Sequence, residues 1–303
     1  MKYYLHILYV LILIYSNNFV YCQCNLLTVD AGTNISICDG QSVQIGGNPT
    51  ADNGLLGSLS YSWSPNLSIT DPSIANPIVN PSSTTTYTVT VTRTIGPQSC
   101  SESSSIIVTV NPLPTVSLNS FNDVCLNNSP FFLSGGTPSG IFGSYSGNGV
   151  GSNVFNPSIA GVGNHQITYT FTDLNNCANS SINIITVLPL PDASIWDYTS
   201  PNPFTGCSGN GSSFDLFIDN TSTTNLTNTN YNIDWGDGSA IYDSNDLALY
   251  STTPSHSYNS QGYFSLLLTV TAQNGCFNTE THSVFNGANP GVGIASSGAT
   301  IGL

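Results

Sequence analysis

The chain has 303 residues, room for two or three domains, with two basic residues, Lys2 and Arg93, against sixteen Asp and Glu. A formal net charge of −14 repels phosphate backbones and anionic lipid, which excludes nucleic-acid binding. Solubility rests on Ser, Thr, Asn and Gly, and the many Val, Ile, Tyr, Phe and Thr residues indicate strands rather than disorder.

Residues 1–22 read as an export signal. Lys2 supplies the positive start, and residues 7–15 (ILYVLILIY) form an apolar core too short to span a bilayer. Cleavage is placed near Cys22-Gln23, and the bulk of Tyr21 argues against a lipid anchor on Cys22. The mature chain is therefore expected outside the cell, secreted or on its surface, with no membrane insertion. Disulfides are permitted there.

Three β-rich stretches follow, set off by a recurring punctuation. Val110-Asn111-Pro112-Leu113-Pro114 closes residues 23–112, and Val187-Leu188-Pro189-Leu190-Pro191 closes residues 113–190. Proline cannot donate to a sheet ladder, so each Pro-x-Pro ends a terminal strand and stiffens a joint. Recurrence of this punctuation implies tandem modules. Each stretch has a late run of period two, the mark of a half-buried antiparallel strand. In the first, Tyr87, Val89 and Val91 share a face. In the second, Ile167, Tyr169 and Phe171 do so. In the third, residues 191–286, the same holds for Phe264, Leu266, Leu268 and Val270. No amphipathic helix is found. The expected fold class is all-β, tandem Ig-like/PKD-like β-sandwich modules. Residues 287–303 look like the start of a further module, so the chain reads as part of a longer product.

The cysteines are Cys22, Cys24, Cys38, Cys100, Cys125, Cys177, Cys207 and Cys276. No C-x-x-C pair or Cys/His cluster offers zinc a ligand set. One cysteine precedes and one follows each alternating run, which pairs Cys38–Cys100, Cys125–Cys177 and Cys207–Cys276 and leaves Cys24 odd. Each bond would contribute about 3–4 kcal/mol through chain entropy. Sequence alone leaves other connectivities open.

Trp63, between Cys38 and Cys100 of the first stretch, resembles the buried tryptophan of immunoglobulin sandwiches, at a longer spacing. The third stretch resembles a PKD domain. Trp235-Gly236-Asp237-Gly238, then His256, Tyr258, Gly262 and Phe264, follow that family's order of W-G-D-G turn, H-x-Y, glycine and aromatic-led strand. The resemblance implies a β-sandwich of extracellular proteins that spaces or presents other domains. The first two stretches ("YSWSP", "TTTYTVTVT"; "GGTPSGIFGSYSGNGV", "HQITYTFTD") resemble the Ig-like and PKD-like repeats of gliding-bacterium surface proteins. That likeness implies export by the type IX route, although the sorting domain such proteins carry is not found here.

The run IDWGDGS, residues 233–239, has two readings. In the first, Trp235 is core, Gly236 and Gly238 take positive φ, and Asp237 accepts backbone N–H groups in a tight turn. The second is a calcium site of Asp234, Asp237, Asp243 and Asp246, for which the usual D-x-[DN]-x-[DN]-G spacing is missing. No cofactor other than this calcium is implied. His256 reads as a packing residue rather than a general base, His165 as a satisfied core or rim histidine, and His282 has no context. "GNGVGS" (147–152) lacks the following helix of a dinucleotide loop. No G-x-S-x-G, H-E-x-x-H or phosphate-loop lysine occurs. Tyr145, Trp196, Tyr198, Tyr242 and Tyr250 could form a carbohydrate platform. The expectation is a non-enzymatic exported rod that presents an adhesive region to surface proteins or polysaccharides. The alternative is the accessory region of a secreted hydrolase whose catalytic domain lies elsewhere. Oligomeric state is not encoded in any motif.

Overall fold

A computed structural model describes residues 27–54, 57–197, 202–207, 213–245 and 254–287. The export signal, Cys22, Cys24, Tyr198, Asp246, Tyr250 and residues 288–303 lie outside the described residues. Two compact units emerge. One holds the chain through Leu118 with Gly135–Ser144 and Tyr169–Ser181. The other holds Asn119–Ser134, Tyr145–Thr168 and the chain from Ile182 onward.

Threonine alternating with Tyr and Val makes a strand wet on one face and dry on the other, and the N-terminal strands are built on this. They are β1 (Thr28–Val29), β2 (Ile35–Cys38), β3 (Val43–Gln44), β4 (Ala51–Asp52), β5 (Ser58–Ser64), β6 (Ile78–Val79), β7 (Thr85–Ile95) and β8 (Gln98–Asn111). A four-stranded sheet runs β2-β8-β7-β5, with β3-β6 and β1-β4 as separate ribbons. On its dry face Trp63, Tyr87, Val89, Val91, Ile106 and Val108 share a core with Val79 of β6 and with Ile45, which directly follows β3, a sandwich in cross-section. The Trp63 Nε1–H donates to the Ile74 carbonyl at 3.0 Å, so the indole is buried with its donor satisfied. On the wet face hydroxyls pair across β7 and β8, Thr88 with Ser105 and Thr92 with Ser101, each at 2.8 Å. Arg93 continues the inward register of Tyr87, Val89 and Val91 and is 2% exposed.

The middle of the chain supplies β9 (Ser117–Leu118), β10 (Val124–Cys125), β11 (Phe131–Phe132), β12 (Gly136–Thr137), β13 (Gly143–Gly147), β14 (Val150–Gly151) and β15 (Val154–Phe155). Next come a single helical turn α1 (Pro157–Ala160), then β16 (Gly163–Thr172) and β17 (Ala178–Leu188). The helical turn is capped by Asn156, whose Oδ1 accepts the Ser158 N–H at 3.1 Å. Gly136 and Gly143 lie flat against the Tyr169 ring. A Cβ on Gly136 would stand 2.6 Å from it, and one on Gly143 closer still, so glycine is required by close approach.

The last strands are β18 (Ile195–Asp197), β19 (Thr205–Gly206), β20 (Phe214–Asn220), β21 (Asn228–Asp234), β22 (Tyr242–Ser244), β23 (Ser255–Tyr258), β24 (Gly262–Ala272) and β25 (Phe277–Asn286). A five-stranded sheet β19-β25-β24-β21-β22 and a three-stranded sheet β18-β20-β23 share one core. Ile195, Leu216, Ile218 and Tyr258 meet Ile233, Leu266, Leu268, Val270 and Val284 there. The fold is all-β with sandwich cores, as the alternation implies.

One topological feature recurs three times. A short early strand pairs in parallel with the last long strand: β2 with β8, β10 with β17, and β19 with β25. This feature corrects the cysteine pairing. The bonds are Cys38–Cys177 and Cys125–Cys276, with Cα–Cα separations of 5.5 and 5.6 Å. Cys38–Cys100 fails because Cys38 stands level with Asn111, and about 36 Å of β8 separates Asn111 from Cys100 at about 3.3 Å per residue. Cys125–Cys177 fails in the same way, since Cys125 is level with Leu188 at the far end of the strand that Cys177 precedes. Cys207–Cys276 fails too: Cys207 follows Gly206, which is level with Asn286, at the far end of β25 from Cys276. A disulfide tolerates Cα separations of only about 4.4–6.8 Å.

Replacing Trp63 with Ala is expected to lower the unfolding free energy by about 3–5 kcal/mol in urea titration. A loss under about 1 kcal/mol would show that the indole is not a core side chain.

Candidate functional site

Polar and covalent chemistry concentrates at two places, the IDWGDGS turn and the pair of disulfides.

At the turn, β21 runs in register with β24, Ile233 opposite Leu268, and delivers Trp235 into the core at 3% exposure. Asp234 Oδ1 accepts the Gly236 N–H and Asp237 Oδ1 accepts the Ser239 N–H, each at 3.0 Å, two successive side-chain-closed turns. Gly236 has φ +77°, and a Cβ there would meet the Ser265 carbonyl oxygen at 2.4 Å. His256 on β23 is gripped on three sides. Its Nε2 lies 2.7 Å from Asp237 Oδ2, its ring stacks on Trp235 at 4.6 Å, and the Tyr258 ring meets it edge-on at 4.7 Å. The Tyr258 hydroxyl donates to the Trp235 carbonyl at 2.9 Å, and its ring stacks on Phe264 at 4.7 Å. Gly262 opens β24, opposite Asn286, whose side-chain amide donates to the Tyr258 carbonyl at 2.8 Å. The structure thus gathers Trp235, Gly236, Asp237, Gly238, His256, Tyr258, Gly262 and Phe264 around one strand-to-turn corner.

The electrostatics follow from this packing. Burial raises the Asp237 carboxyl, but bonds from Ser239 and His256, with the His256 charge, outweigh it and hold the group at about 2. Burial, then the charges of Asp237 and Asp234, push the Tyr258 phenol upward. His256 and Asp237 are matched as a base and its orienting carboxylate would be, yet the indole covers the imidazole face and the pair's bond is spent on the turn. The arrangement locks β21 to β23.

The calcium candidates are spread out. Asp243 on β22 lies opposite Asn232 and accepts from Asn230 Nδ2 at 2.7 Å, while Asp234 and Asp237 are occupied by their turns. Among the described residues no three His, Cys, Asp or Glu side chains gather as a metal site. His165 is satisfied at a rim: its ring lies 2.8 Å from the Gly161 carbonyl and 3.3 Å from Asn148 Nδ2. His282 stacks on Phe204 at 4.4 Å, and burial lowers its pKa against the opposing pull of Glu280. Of the aromatics, Trp196 is 52% exposed on β18, Tyr145 is half-buried, and Tyr242 packs against the core.

The disulfides are built to one plan. On the early-strand side, Cys38 and Cys125 each begin a turn closed by an amide three residues on. Gln41 Oε1 accepts the Cys38 N–H at 3.0 Å and Asn128 Oδ1 accepts the Cys125 N–H at 2.6 Å. On the other side, Cys177 and Cys276 close the turn between the last two strands and are fully buried. In both turns the residue before the cysteine, Asn176 or Gly275, takes positive φ (61° and 84°), a conformation Asn and Gly tolerate best. Two residues past each turn cysteine stands an asparagine that clamps a proline linker. Asn179 Nδ2 donates to the Pro114 carbonyl at 2.9 Å, and Asn278 Nδ2 to the Pro191 carbonyl at 3.0 Å. Sequence reasoning missed this plan, although C-x-x-[QN] and N-[NG]-C-x-N are both legible as repeated strings.

No family model matches the chain, and no curated protein does. Among solved structures it is similar to the titin I-band fragment I67–I69, at 12% identity over 87% of this chain and 99% of that one, with a TM-score of 0.33. It is similar to mouse cadherin-23 EC22–24 at 15% identity, over 87% and 99%, with a TM-score of 0.26. A Ca2+-stabilized adhesin with which an Antarctic bacterium binds ice is similar at 13% identity, over 86% and 75%, with a TM-score of 0.35.

Asp192, like Asp237, is held at about 2, here by Ser194 and Thr223. Both values lie below the ordinary 3.8, so folding favours the ionised forms. Their contribution is complete above pH 3.8 and is lost as pH falls towards 2. The urea midpoint is therefore expected to fall between about pH 4 and 2. The Asp192→Asn/Asp237→Asn variant should start lower at neutral pH and decline less. An equal decline in both proteins would contradict the assignment.

Proposed function

We propose that this chain is a non-enzymatic, extracellular spacer built of three β-sandwich modules, residues 23–112, 113–190 and 191–286, the last PKD-like. It presents a partner-binding or adhesive surface away from its attachment point. The observation that carries this reading is the bonding pattern: each disulfide spans a Pro-x-Pro linker and, under these proposed boundaries, joins one module to the next, its two cysteines lying within one compact unit. A catalytic or ligand-binding domain has no need of such a coupling. A load-bearing spacer does, because the bond and the asparagine–proline clamp fix each joint at two points. The motif residues of the third module sit at one corner as a structural lock, which supports the PKD-like assignment. Two disulfides fit an oxidising, extracellular setting. The described residues expose no Lys or Arg side chain, since Arg93 is buried, so partners that demand cations are poor candidates.

Force spectroscopy tests the spacer directly. Pulled between Leu27 and Gly287, the oxidised protein has a shortest covalent route through 27–38, 177 back to 125, and 276–287. That route extends to about 27 nm at about 3.5 Å per residue, against about 90 nm after reduction. Extension to the longer value without reductant would contradict the load-bearing role.

A further inference from the structure

Cys207 occupies the position that Cys38 and Cys125 occupy elsewhere in the chain. All three follow or end a short early strand paired in parallel with the last long strand. Cys38 is level with Asn111 and Cys125 with Leu188, while Gly206, just before Cys207, is level with Asn286. Backbone bonds hold all three strand ends: the Asp39 N–H donates to Asn111 O at 2.9 Å and the Leu126 N–H to Leu188 O at 3.1 Å, while at the third end the direction is reversed and the Gly287 N–H donates to Gly206 O at 3.0 Å. The sequence repeats the turn code as well. Cys38-Asp-Gly-Gln41, Cys125-Leu-Asn-Asn128 and Cys207-Ser-Gly-Asn210 all place an amide three residues on. It also repeats the linker code. Pro114 stands three residues past Asn111, Pro191 three past Leu188, and Pro290 three past Gly287. Cys38 and Cys125 are both bonded to a buried turn cysteine, whereas the Cys207 thiol is unbonded and exposed.

We propose that Cys207 is a covalent coupling site. It forms a disulfide with the turn cysteine of a further β-sandwich unit, in a hairpin reading Asn-[Gly/Asn]-Cys-x-Asn. The inference rests on the spacer reading, which makes the two bonded joints instances of one coupling. Among the described residues Cys177 and Cys276 are already committed, and Cys100, on β8 opposite Arg93, is not in an Asn-[Gly/Asn]-Cys-x-Asn hairpin. The unit comes from a continuation of this polypeptide or from another chain, and the coupling chemistry is the same for both. The thiolate of Cys207 attacks a small-molecule disulfide such as oxidised glutathione, forming a mixed disulfide and releasing one thiolate. The turn thiolate then attacks the Cys207 sulfur and releases the second. Two thiols lose two protons and two electrons in all, and the oxidant leaves as two thiols.

The test is disulfide mapping of the full protein isolated from its source with N-ethylmaleimide present from lysis, digested without reduction and read by mass spectrometry. The expected result is complete loss of maleimide label at Cys207, recovered on reduction, with Cys207 bonded to an Asn-[Gly/Asn]-Cys-x-Asn peptide. A peptide from the same gene product means coupling in cis, and one from another product means coupling in trans. Maleimide or glutathione on Cys207, a Cys207–Cys207 bond, or a bond to a cysteine outside such a turn would overturn the proposal. If that happens while Cys38–Cys177 and Cys125–Cys276 are present, the spacer reading stands without it. If those two bonds are missing, that reading falls as well. A recombinant chain in which Gly287 is followed by a second copy of residues 188–287 gives an independent check. Under glutathione, Cys207 should lose its label to the added turn cysteine. Persistence of the label would overturn the proposal.

Discussion

The parallel pairing of a short early strand with the last strand is the constraint from which the rest of the molecule's covalent organisation follows. It sets each early cysteine at the end of the last strand, beside the proline linker, and leaves the turn cysteine at that strand's other end. Strand rise is nearly fixed, so the long last strand becomes a rigid spacer between two sulfurs that sequence order would join. Among the described residues, Cys38 and Cys125 are each bonded to the turn cysteine beyond the next linker. Geometry of the sheet, rather than cysteine order, decides the connectivity.

Side-chain amides do much of the work that charge does in other proteins. With two basic residues in the chain, ion pairing is scarce, and the ordered contacts at turns and joints come from Asn, Gln, Ser and Thr. Asn179 and Asn278 clamp the linkers, Gln41 and Asn128 close the cysteine turns, and Asn286 ties Tyr258 to the end of the last strand. Such bonds are individually worth about 1 kcal/mol and are little screened by salt. The IDWGDGS corner uses the same economy: two aspartates close backbone turns, and a third-party histidine is wedged between indole and carboxylate.

The all-β class was legible because period-two alternation reports directly on which face is dry, and Tyr87, Val89, Val91, Ile167, Tyr169, Leu266, Leu268 and Val270 are all buried as the alternation requires. The turn chemistry of Gly236, Gly238 and Asp237 was legible for a similar reason, since local geometry dictates local residue types, whereas the turn that Asp234 closes was not read. The disulfides were not. Pairing a two- or four-residue early strand in parallel with a distant strand leaves no mark in hydrophobic periodicity, so the cysteines seemed to belong to their own segment. His282 stacking on Phe204 and the proline clamps were hidden for the same reason: each depends on register between residues far apart in sequence.

The most direct measurement of this account uses a chain in which every cysteine except Cys38 and Cys177 is replaced by serine. After folding in oxidising buffer and denaturation, thiol titration should find no reactive sulfhydryl, and reduction should restore both. Two reactive thiols in the oxidised protein would mean that the early cysteine does not lie at the joint, and the account would be wrong.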